Sequence, residues 1–302
     1  MVKGSGVNGD GKRLFCFGLG YSAASLAHRL RARGYAIAGT CRGEEKAARL
    51  RAGGVEAYLF GEGRPLDDPA AALAGTTHLL LSVPPGEAGD PVFAAHAGDI
   101  ARLAPRLEWM AYLSTTGVYG DRGGDWVTEE TPLAPTTERG HRRLEAEEAW
   151  RALAARARLP LHIFRLAGIY GPGRNQLRGV IDGTARRIVK PGQVFSRIHV
   201  EDIAAVLEAS IAHPHPGAAY NVCDDEPAPP QDVVAHAAHL LGREAPPEIE
   251  FARAELSPMA RSFYAESKRV SNRRIREELG VELRYPTYRE GLAALMADEE
   301  GR

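Results

Sequence analysis

Much is missing from this 302-residue chain, and the omissions narrow its chemistry. It carries only 3 cysteines, Cys16, Cys41 and Cys223, set far apart, so neither a disulfide framework nor a cysteine metal knuckle is encoded. A reduced, cytoplasmic protein fits that usage. No apolar run approaches the roughly 18 residues that span a bilayer, so no membrane partner is expected. The formal net charge is −1, which gives no field to recruit nucleic acid. His213 and His215, and the pair His236 and His239, lack cysteine or carboxylate partners at ligand spacing, so no metal site is expected. There is no Gly-x-Ser-x-Gly nucleophile elbow. The first 12 residues are polar and glycine-rich and read as a loose tail.

What the chain does have is a regular alternation of apolar runs and helical segments. Arg13–Leu19, Tyr35–Cys41, Val55–Phe60, His78–Val83, Trp109–Thr115 and Leu161–Ala167 read as strands. Helices are expected over Tyr21–Arg33, Glu44–Arg51, Asp68–Ala74, Pro91–Ala104 and Glu138–Ala157. The strands are continuous apolar runs, as in a sheet covered on both faces. Repeated β-α units of this length predict an α/β fold, a doubly wound parallel sheet with right-handed crossovers. The second half is less regular. It predicts helices over Val200–Ala212, Pro230–Leu241, Arg269–Leu279 and Tyr288–Ala297, with a strand at Tyr220–Cys223. The expected division is a dinucleotide-binding domain over 13–170 with returning segments near 196–223, and a small lobe from 171–195 and 224–302.

Arg13–Ala23 reads RLFCFGLGYSA: a strand, a glycine turn and a helix start. Gly18 permits the turn, Gly20 lets the backbone approach a pyrophosphate, and Ala23 lets the helix pack on the strand. The N–H groups of Tyr21, Ser22 and Ala23 at the helix start would face the anion. An acidic residue at the end of the second strand would hold the ribose of NAD; here Cys41 and Arg42 stand there. Arginine suits a 2′-phosphate, so NADP is favoured, with NAD kept open. The alternative is a solvated Arg42 paired with Glu44 or Glu45. Ser82, Val83 and Pro84 after the fourth strand would wall the adenine side. In Tyr112–Gly120, YLSTTGVYG, the hydroxyls of Ser114, Thr115 and Thr116 lie at a strand's carboxyl end, where ligands of such sheets bind.

Taken together, GLGYSA, STTGVYG, WVTEETPLAP, RLAGIYGPGR, RIHVEDIA and YNVCDDEP resemble the extended and atypical short-chain dehydrogenase/reductases, the NAD-dependent epimerase/dehydratase group. The resemblance runs from about Arg13 to about Leu295 and implies a Rossmann domain with a small C-terminal substrate lobe. It implies that Thr115 is the catalytic Ser/Thr of the group, and that Leu166 and Gly168 lie in the cofactor wall, next to Arg165. The group's Tyr-x-x-x-Lys is absent. Matching Gly140 to the motif glycine puts Arg139 at the tyrosine and Arg143 at the lysine. Neither guanidinium exchanges protons near neutral pH. Arg143 could hold the ribose, and Arg139 either binds an anionic substrate group or is a surface arginine. Tyr119 is the replacement acid taken forward; Tyr170, His141 and His199 are others, and each tyrosine could equally be a packing residue of its loop. Arg174 and Arg197 sit where relatives hold substrate phosphates or carboxylates. Glu201 and Asp202 read as helix-start acids, and Glu129 and Glu130 as solvated loop residues.

Two functions follow. One is an NAD(P)-dependent oxidoreductase or epimerase-like enzyme moving hydride at a carbinol or carbonyl carbon of a small molecule. The other is a catalytically silent NADP-binding sensor or scaffold. A homodimer is possible, since many relatives pair through the helix carrying Arg139 and Arg143.

Overall fold

A computed structural model describes residues 9–300. Thirteen strands are found among these residues: β1 Arg13–Phe17, β2 Ala36–Cys41, β3 Glu56–Leu59, β4 His78–Leu81, β5 Trp109–Thr115, β6 Trp126–Val127, β7 Leu161–Leu166, β8 Gly168–Tyr170, β9 Arg187–Val189, β10 Arg197–His199, β11 Ala219–Val222, β12 Glu248–Glu250 and β13 Arg269–Val270. Seven form one sheet in the order β11-β7-β5-β4-β1-β2-β3. The registers from β3 to β5 are parallel, with Phe15 opposite both Ala38 and Leu79. Order and direction are those of a Rossmann-type α/β fold.

The chain divides into two compact units. The first holds the described residues up to Thr115, then His141–Arg165 and Ile203–Tyr220. Its core runs through Phe15, Phe17, Leu79, Leu81, Met110, Tyr112 and Trp150. All five residues of β1 are buried, the signature expected of a strand covered on both faces. The helices lie where the periodicity puts them: Tyr21–Arg31, Glu44–Ala52, Pro69–Ala72 and Pro91–Arg102, and Glu138–Ala157 begins and ends as expected. Asp90 caps the fourth of these, accepting from the N–H groups of Val92 at 2.8 Å and Phe93 at 3.0 Å. Its other oxygen takes the Trp150 indole N–H at 2.9 Å, which fixes the long helix to that cap. Of the expected tail, residues 1–8 lie outside the described residues. The remainder starts as a turn: Gly9 is buried, and its N–H donates to the Arg33 carbonyl at 3.0 Å.

The second unit comprises Thr116–Gly140, Leu166–Asp202 and the described residues from Asn221 on. Tyr170, Leu177, Val233, Ala237, Tyr288 and Leu292 form its core. Three two-stranded parallel pairs run through it, β8 with β10, β9 with β12 and β6 with β13. Sequence periodicity missed all six of these strands, because two or three residues carry no period. One expectation needs correction. Arg269 and Val270 do not open a helix; they pair with Trp126 and Val127, and the helix is only Arg273–Glu277. The Arg269 N–H donates to the Asp125 carbonyl at 2.9 Å and the Ser271 N–H to the Val127 carbonyl at 2.9 Å, so these donors are committed to a ladder.

Candidate active site

The turn after β1 is built around Gly18, whose φ is +85°, in the left-handed region that favours glycine. A Cβ there would lie 2.9 Å from the Val83 side chain and 3.2 Å from its N–H nitrogen. The end of β4 therefore packs directly on the turn. The Gly18 N–H donates to Thr40 Oγ1 at 2.8 Å and the Leu19 N–H to the Thr40 carbonyl at 2.7 Å, locking the turn to β2. Gly20 differs: its Cβ would meet nothing nearer than the Gly18 carbonyl at 3.9 Å, so packing does not demand glycine there. The helix that follows starts at Tyr21 with no side-chain cap. In any α-helix the first N–H groups have no acceptor within the helix itself. Ser22 and Ala23 are buried, and Tyr21 is exposed. Ser82 and Val83 are half-buried, and Pro84 is exposed.

At the end of β2, Cys41 is buried and Arg42 is exposed. Glu44 and Glu45 pair with Arg51 and Arg49, at 2.6 Å each, and are not held by Arg42.

The end of β5 rests on the long helix. Ser114 is buried and donates to Glu147 Oε1. Glu147, 1% exposed, also receives Arg165 Nη2 on its other oxygen at 2.9 Å. Arg165 was expected beside the cofactor wall. It lies inside β7, buried, tied to this carboxylate. One helical turn before Glu147, Arg143 donates to the Leu113 carbonyl and stacks 5.5 Å from the centre of the Tyr112 ring. Burial pushes the Tyr112 hydroxyl well above the ordinary tyrosine range, although Arg143 pulls the other way. Glu147 escaped the sequence reading. Its signal was its place four residues after Arg143, on the same helix face and between the buried Ala146 and Trp150. Successive strand side chains alternate, so Thr115, half-buried, belongs to the face opposite Ser114.

In the second unit, Thr116–Tyr119 form a 3-10 turn. Thr116 is half-buried and Tyr119 is fully buried, its hydroxyl donating to Asn221 Oδ1 at 2.7 Å. The Asn221 N–H donates to Glu129 Oε1 at 2.8 Å. Glu129 thus departs from the solvated loop residue expected of it, and burial pushes its carboxyl up. Gly140 is a close-approach glycine: a Cβ would lie 2.8 Å from Pro135 and 2.9 Å from the Gly117 carbonyl. Next to it, Arg139 is exposed and sits 4.9 Å from the centre of the Phe263 ring.

Leu166 is buried, and the Gly168 N–H donates to the Ser196 carbonyl at 3.1 Å. Arg174 is exposed. Arg197 is buried, with Nη1 donating to the carbonyls of Phe195 at 2.8 Å and Ala228 at 3.1 Å. Beside it, burial pushes the Asp224 carboxyl up to about 8, against the pull of Arg197 and of backbone N–H groups. Tyr170 and His199 are buried edge to face at 5.2 Å, with the Tyr170 hydroxyl donating to the Thr287 carbonyl at 3.3 Å. His141 is exposed. Asp202 is more than a helix-start acid: it accepts from the N–H groups of Arg284 at 2.8 Å and Tyr285 at 3.1 Å.

Among the described residues no group of three or more His, Cys, Asp and Glu side chains could hold a metal ion, and no helix is long and apolar enough to cross a membrane.

The model of the NAD dependent epimerase/dehydratase family matches residues 98–223. The chain is 31% identical over 285 residues to Protein YeeZ of Escherichia coli (strain K12), covering 91% of this chain and 97% of that one. The chain belongs to the NAD dependent epimerase/dehydratase family. A solved structure of a functionally unknown conserved protein from Silicibacter pomeroyi DSS is 55% identical, with a TM-score of 0.87 and coverage of 96% of this chain and 99% of that one. UDP-glucuronic acid 4-epimerase from Bacillus cereus, solved in complex with NAD, shares the family fold at 14% identity, with a TM-score of 0.74 and coverage of 96% and 99%.

Proposed function

We propose that this chain is an NADP-dependent oxidoreductase of the epimerase/dehydratase family, transferring hydride at a carbinol or carbonyl carbon of a small molecule. The observation that carries the reading is the turn Gly18–Gly20. Gly18 is required by its backbone and by Val83, whereas among the described residues a Cβ at Gly20 would meet nothing nearer than the Gly18 carbonyl at 3.9 Å. A bare backbone there, followed by uncapped helix N–H groups, suits a pyrophosphate. Tyr21, Ser22 and Ala23 supply those N–H groups, and Ser82, Val83 and Pro84 line the adjoining strand end. Arg42, with both nearby glutamates engaged elsewhere, is available to a 2′-phosphate. Arg143 offers its remaining donors to the ribose, with Leu166 and Gly168 as wall residues.

The bound nicotinamide supplies the hydride chemistry. Thr115 holds the reacting oxygen, with Thr116 beside it, while Ser114 is committed to Glu147 and keeps the end of β5 rigid. Arg139 and Arg143 bind and orient, since neither gives up a proton near neutrality. Tyr119 serves as acid only by leaving Asn221. A solved structure of the same fold, MoeE5, is described in complex with UDP-glucose and NAD, which supports a small molecule as the substrate class.

Calorimetric titration tests the reading. NADPH should bind at least about tenfold tighter than NADH, and Arg42→Ala should erase that preference. Gly18→Val should abolish uptake of both. Tighter NADH binding that ignores Arg42→Ala would overturn the NADP assignment; no uptake of either overturns the whole.

The silent sensor is favoured by one observation: both positions of the proton-transfer motif hold arginines, each already engaged, on Phe263 and on Leu113. NADPH oxidation screened over aldehydes and ketones separates the two. Tight binding without turnover supports the sensor.

A further inference from the structure

We propose that Arg64 joins Arg42 in a two-arginine clamp for the 2′-phosphate of NADP, so that the choice of coenzyme is set by the turn after β3 as well as by the end of β2. The inference deepens the function proposed above and rests on it, because the glycine turn after β1 is what brings a dinucleotide to these strand ends.

The backbone brings the two side chains together. β2 and β3 are parallel neighbours with Cys41 opposite Leu59, and the Phe60 N–H donates to the Cys41 carbonyl at 3.0 Å. Arg42 and Gly61 follow those two residues. A Cβ at Gly61 would lie 3.8 Å from Arg42 Cγ, so the arginine stem passes over the glycine. Gly61 and Arg64 exchange both backbone hydrogen bonds across a tight turn: Gly61 N–H to the Arg64 carbonyl at 3.1 Å, and Arg64 N–H to the Gly61 carbonyl at 3.0 Å. Residues paired in this way carry their Cβ atoms on one face, about 5 Å apart. The Arg64 side chain thus leaves the backbone on the face over which the Arg42 stem lies. Gly63, with φ at +71°, closes the turn. The same strand end is tied to the coenzyme turn, since Thr40, two residues before Arg42, accepts the Gly18 N–H on its hydroxyl.

The surrounding charges identify the ligand. Arg42 and Arg64 are both exposed, and neither guanidinium makes an ion pair or a hydrogen bond with the described residues. Other arginines of the same strands and helix do: Arg49 pairs with Glu45, Arg51 with Glu44, and Arg13 with Glu56 at 2.7 Å. Glu62, the acid inside the turn, pairs with neither arginine. Its oxygens lie 3.4 and 3.5 Å from where a Cβ at Gly86 would stand, against the turn after β4. Two like charges held near each other with no acid between them repel. A phosphate monoester removes that cost, because it carries about two negative charges and three acceptor oxygens at neutral pH, enough for a guanidinium fork on each side. The ribose diol of NAD carries no charge and leaves the repulsion in place.

The test is calorimetry on the full chain with NADPH, NADH, 2′,5′-ADP and 5′-AMP, the last two being the adenosine end with and without the 2′-phosphate. Arg64→Ala should weaken NADPH and 2′,5′-ADP at least about tenfold and leave NADH and 5′-AMP within about twofold. Arg64→Lys should recover only part of the loss, because an ammonium is a point charge and not a fork. Position 64 is exposed, and unchanged NADH affinity shows that the fold persists. The proposal is overturned if Arg64→Ala keeps the wild-type preference for NADPH, or if it weakens NADH as much as NADPH. When Arg42→Ala erases the preference and Arg64→Ala does not, the NADP-dependent reading stands and Arg64 alone is removed. Tighter NADH binding by wild type removes both. If wild type takes up neither coenzyme, the proposed function falls first; the two adenosine probes then decide, and equal or absent binding of them overturns the clamp as well.

Discussion

The two units hold themselves together by different means. In the first, strands of four to seven residues satisfy their own backbone by pairing, and apolar side chains fill the space between sheet and helices. In the second, most strands have two or three residues, too few to ladder the connecting chain. Polar side chains take over that work. Asp202 receives two backbone N–H groups of the 284–285 turn. Ser196 Oγ accepts from Val270 N–H at 3.0 Å, and Ser267 Oγ accepts from Val194 N–H at 3.2 Å while donating to the Gly192 carbonyl at 2.9 Å. Asn272 Nδ2 donates to the Cys223 carbonyl at 2.9 Å. Buried backbone groups must be paired by something, and short strands leave the task to side chains. An apolar core is therefore broken by removing volume, and a strapped lobe by removing acceptors.

The largest effect should come from volume. Trp150 is fully buried and its N–H donates to Asp90, the cap of a neighbouring helix. Trp150→Ala should cost about 4–5 kcal/mol, the upper end for aromatic truncation, read by urea unfolding. A loss under about 1 kcal/mol would mean that this core is not the principal support of the unit.

Next comes pH, to which the units should respond in opposite senses. In the first, burial pushes His78 and His162 down to about 4. His162 has one neutral form fixed by its partners, Nδ1 against the Met110 carbonyl at 3.2 Å and Nε2 accepting from His215 N–H at 2.9 Å. A histidine depressed in the fold contributes stability that is complete above its unfolded value of about 6.5 and is lost as pH falls through about 4. Each should contribute on the order of 3 kcal/mol at its limit. Asp224 in the second unit is raised to about 8, so its contribution is complete below the ordinary carboxylate value and lost as pH rises through about 8. Hydrogen exchange from pH 4 to 9 should show the first unit opening at the acid end and the second at the alkaline end. Asp224→Asn should flatten only the alkaline limb; an unchanged slope would remove Asp224 as its cause.

Smaller again is Asp202→Ala, which strands the N–H groups of Arg284 and Tyr285 and should cost about 2 kcal/mol. Exchange at those two amides should quicken more than at any amide of β1. Uniform quickening of both would dissolve the distinction between strap and core.

The same contrast explains what could be read from the sequence. β5, Trp109–Thr115, and the helix Glu138–Ala157 were legible to the residue, because a long apolar run and a long helical segment each carry a period. So was the turn at Gly18, whose glycine pattern has a steric cause visible in the residue types alone. The pairing of Arg269–Val270 with Trp126–Val127 was not, since its partner lies far off in sequence and two residues have no periodicity. Glu147 was missed for a different reason: an acidic residue on a charged helix looks solvated until the partners on β5 and β7 are known. Glu129 and Asp202 repeat that lesson, because burial of a carboxylate is decided by distant backbone donors.

The smallest expected effect, Tyr119→Phe, bears most directly on the chemistry. Its hydroxyl makes one buried bond, to Asn221 Oδ1, within the chain of contacts that ends on Glu129. As a packing residue, the tyrosine loses only that bond, and the variant should be destabilised by about 1 kcal/mol with hydride transfer unchanged. As the replacement acid, it should show the same stability loss together with a rate lower by about a hundredfold or more. The bond itself favours the first outcome, since a hydroxyl donating to a buried amide must break that contact before it can serve a substrate. Single-turnover NADPH oxidation beside urea unfolding separates the two, because only the rate distinguishes them. A large rate loss would show that the 3-10 turn is not a fixed support like β5 but opens during reaction, as a strapped unit can and a laddered one cannot.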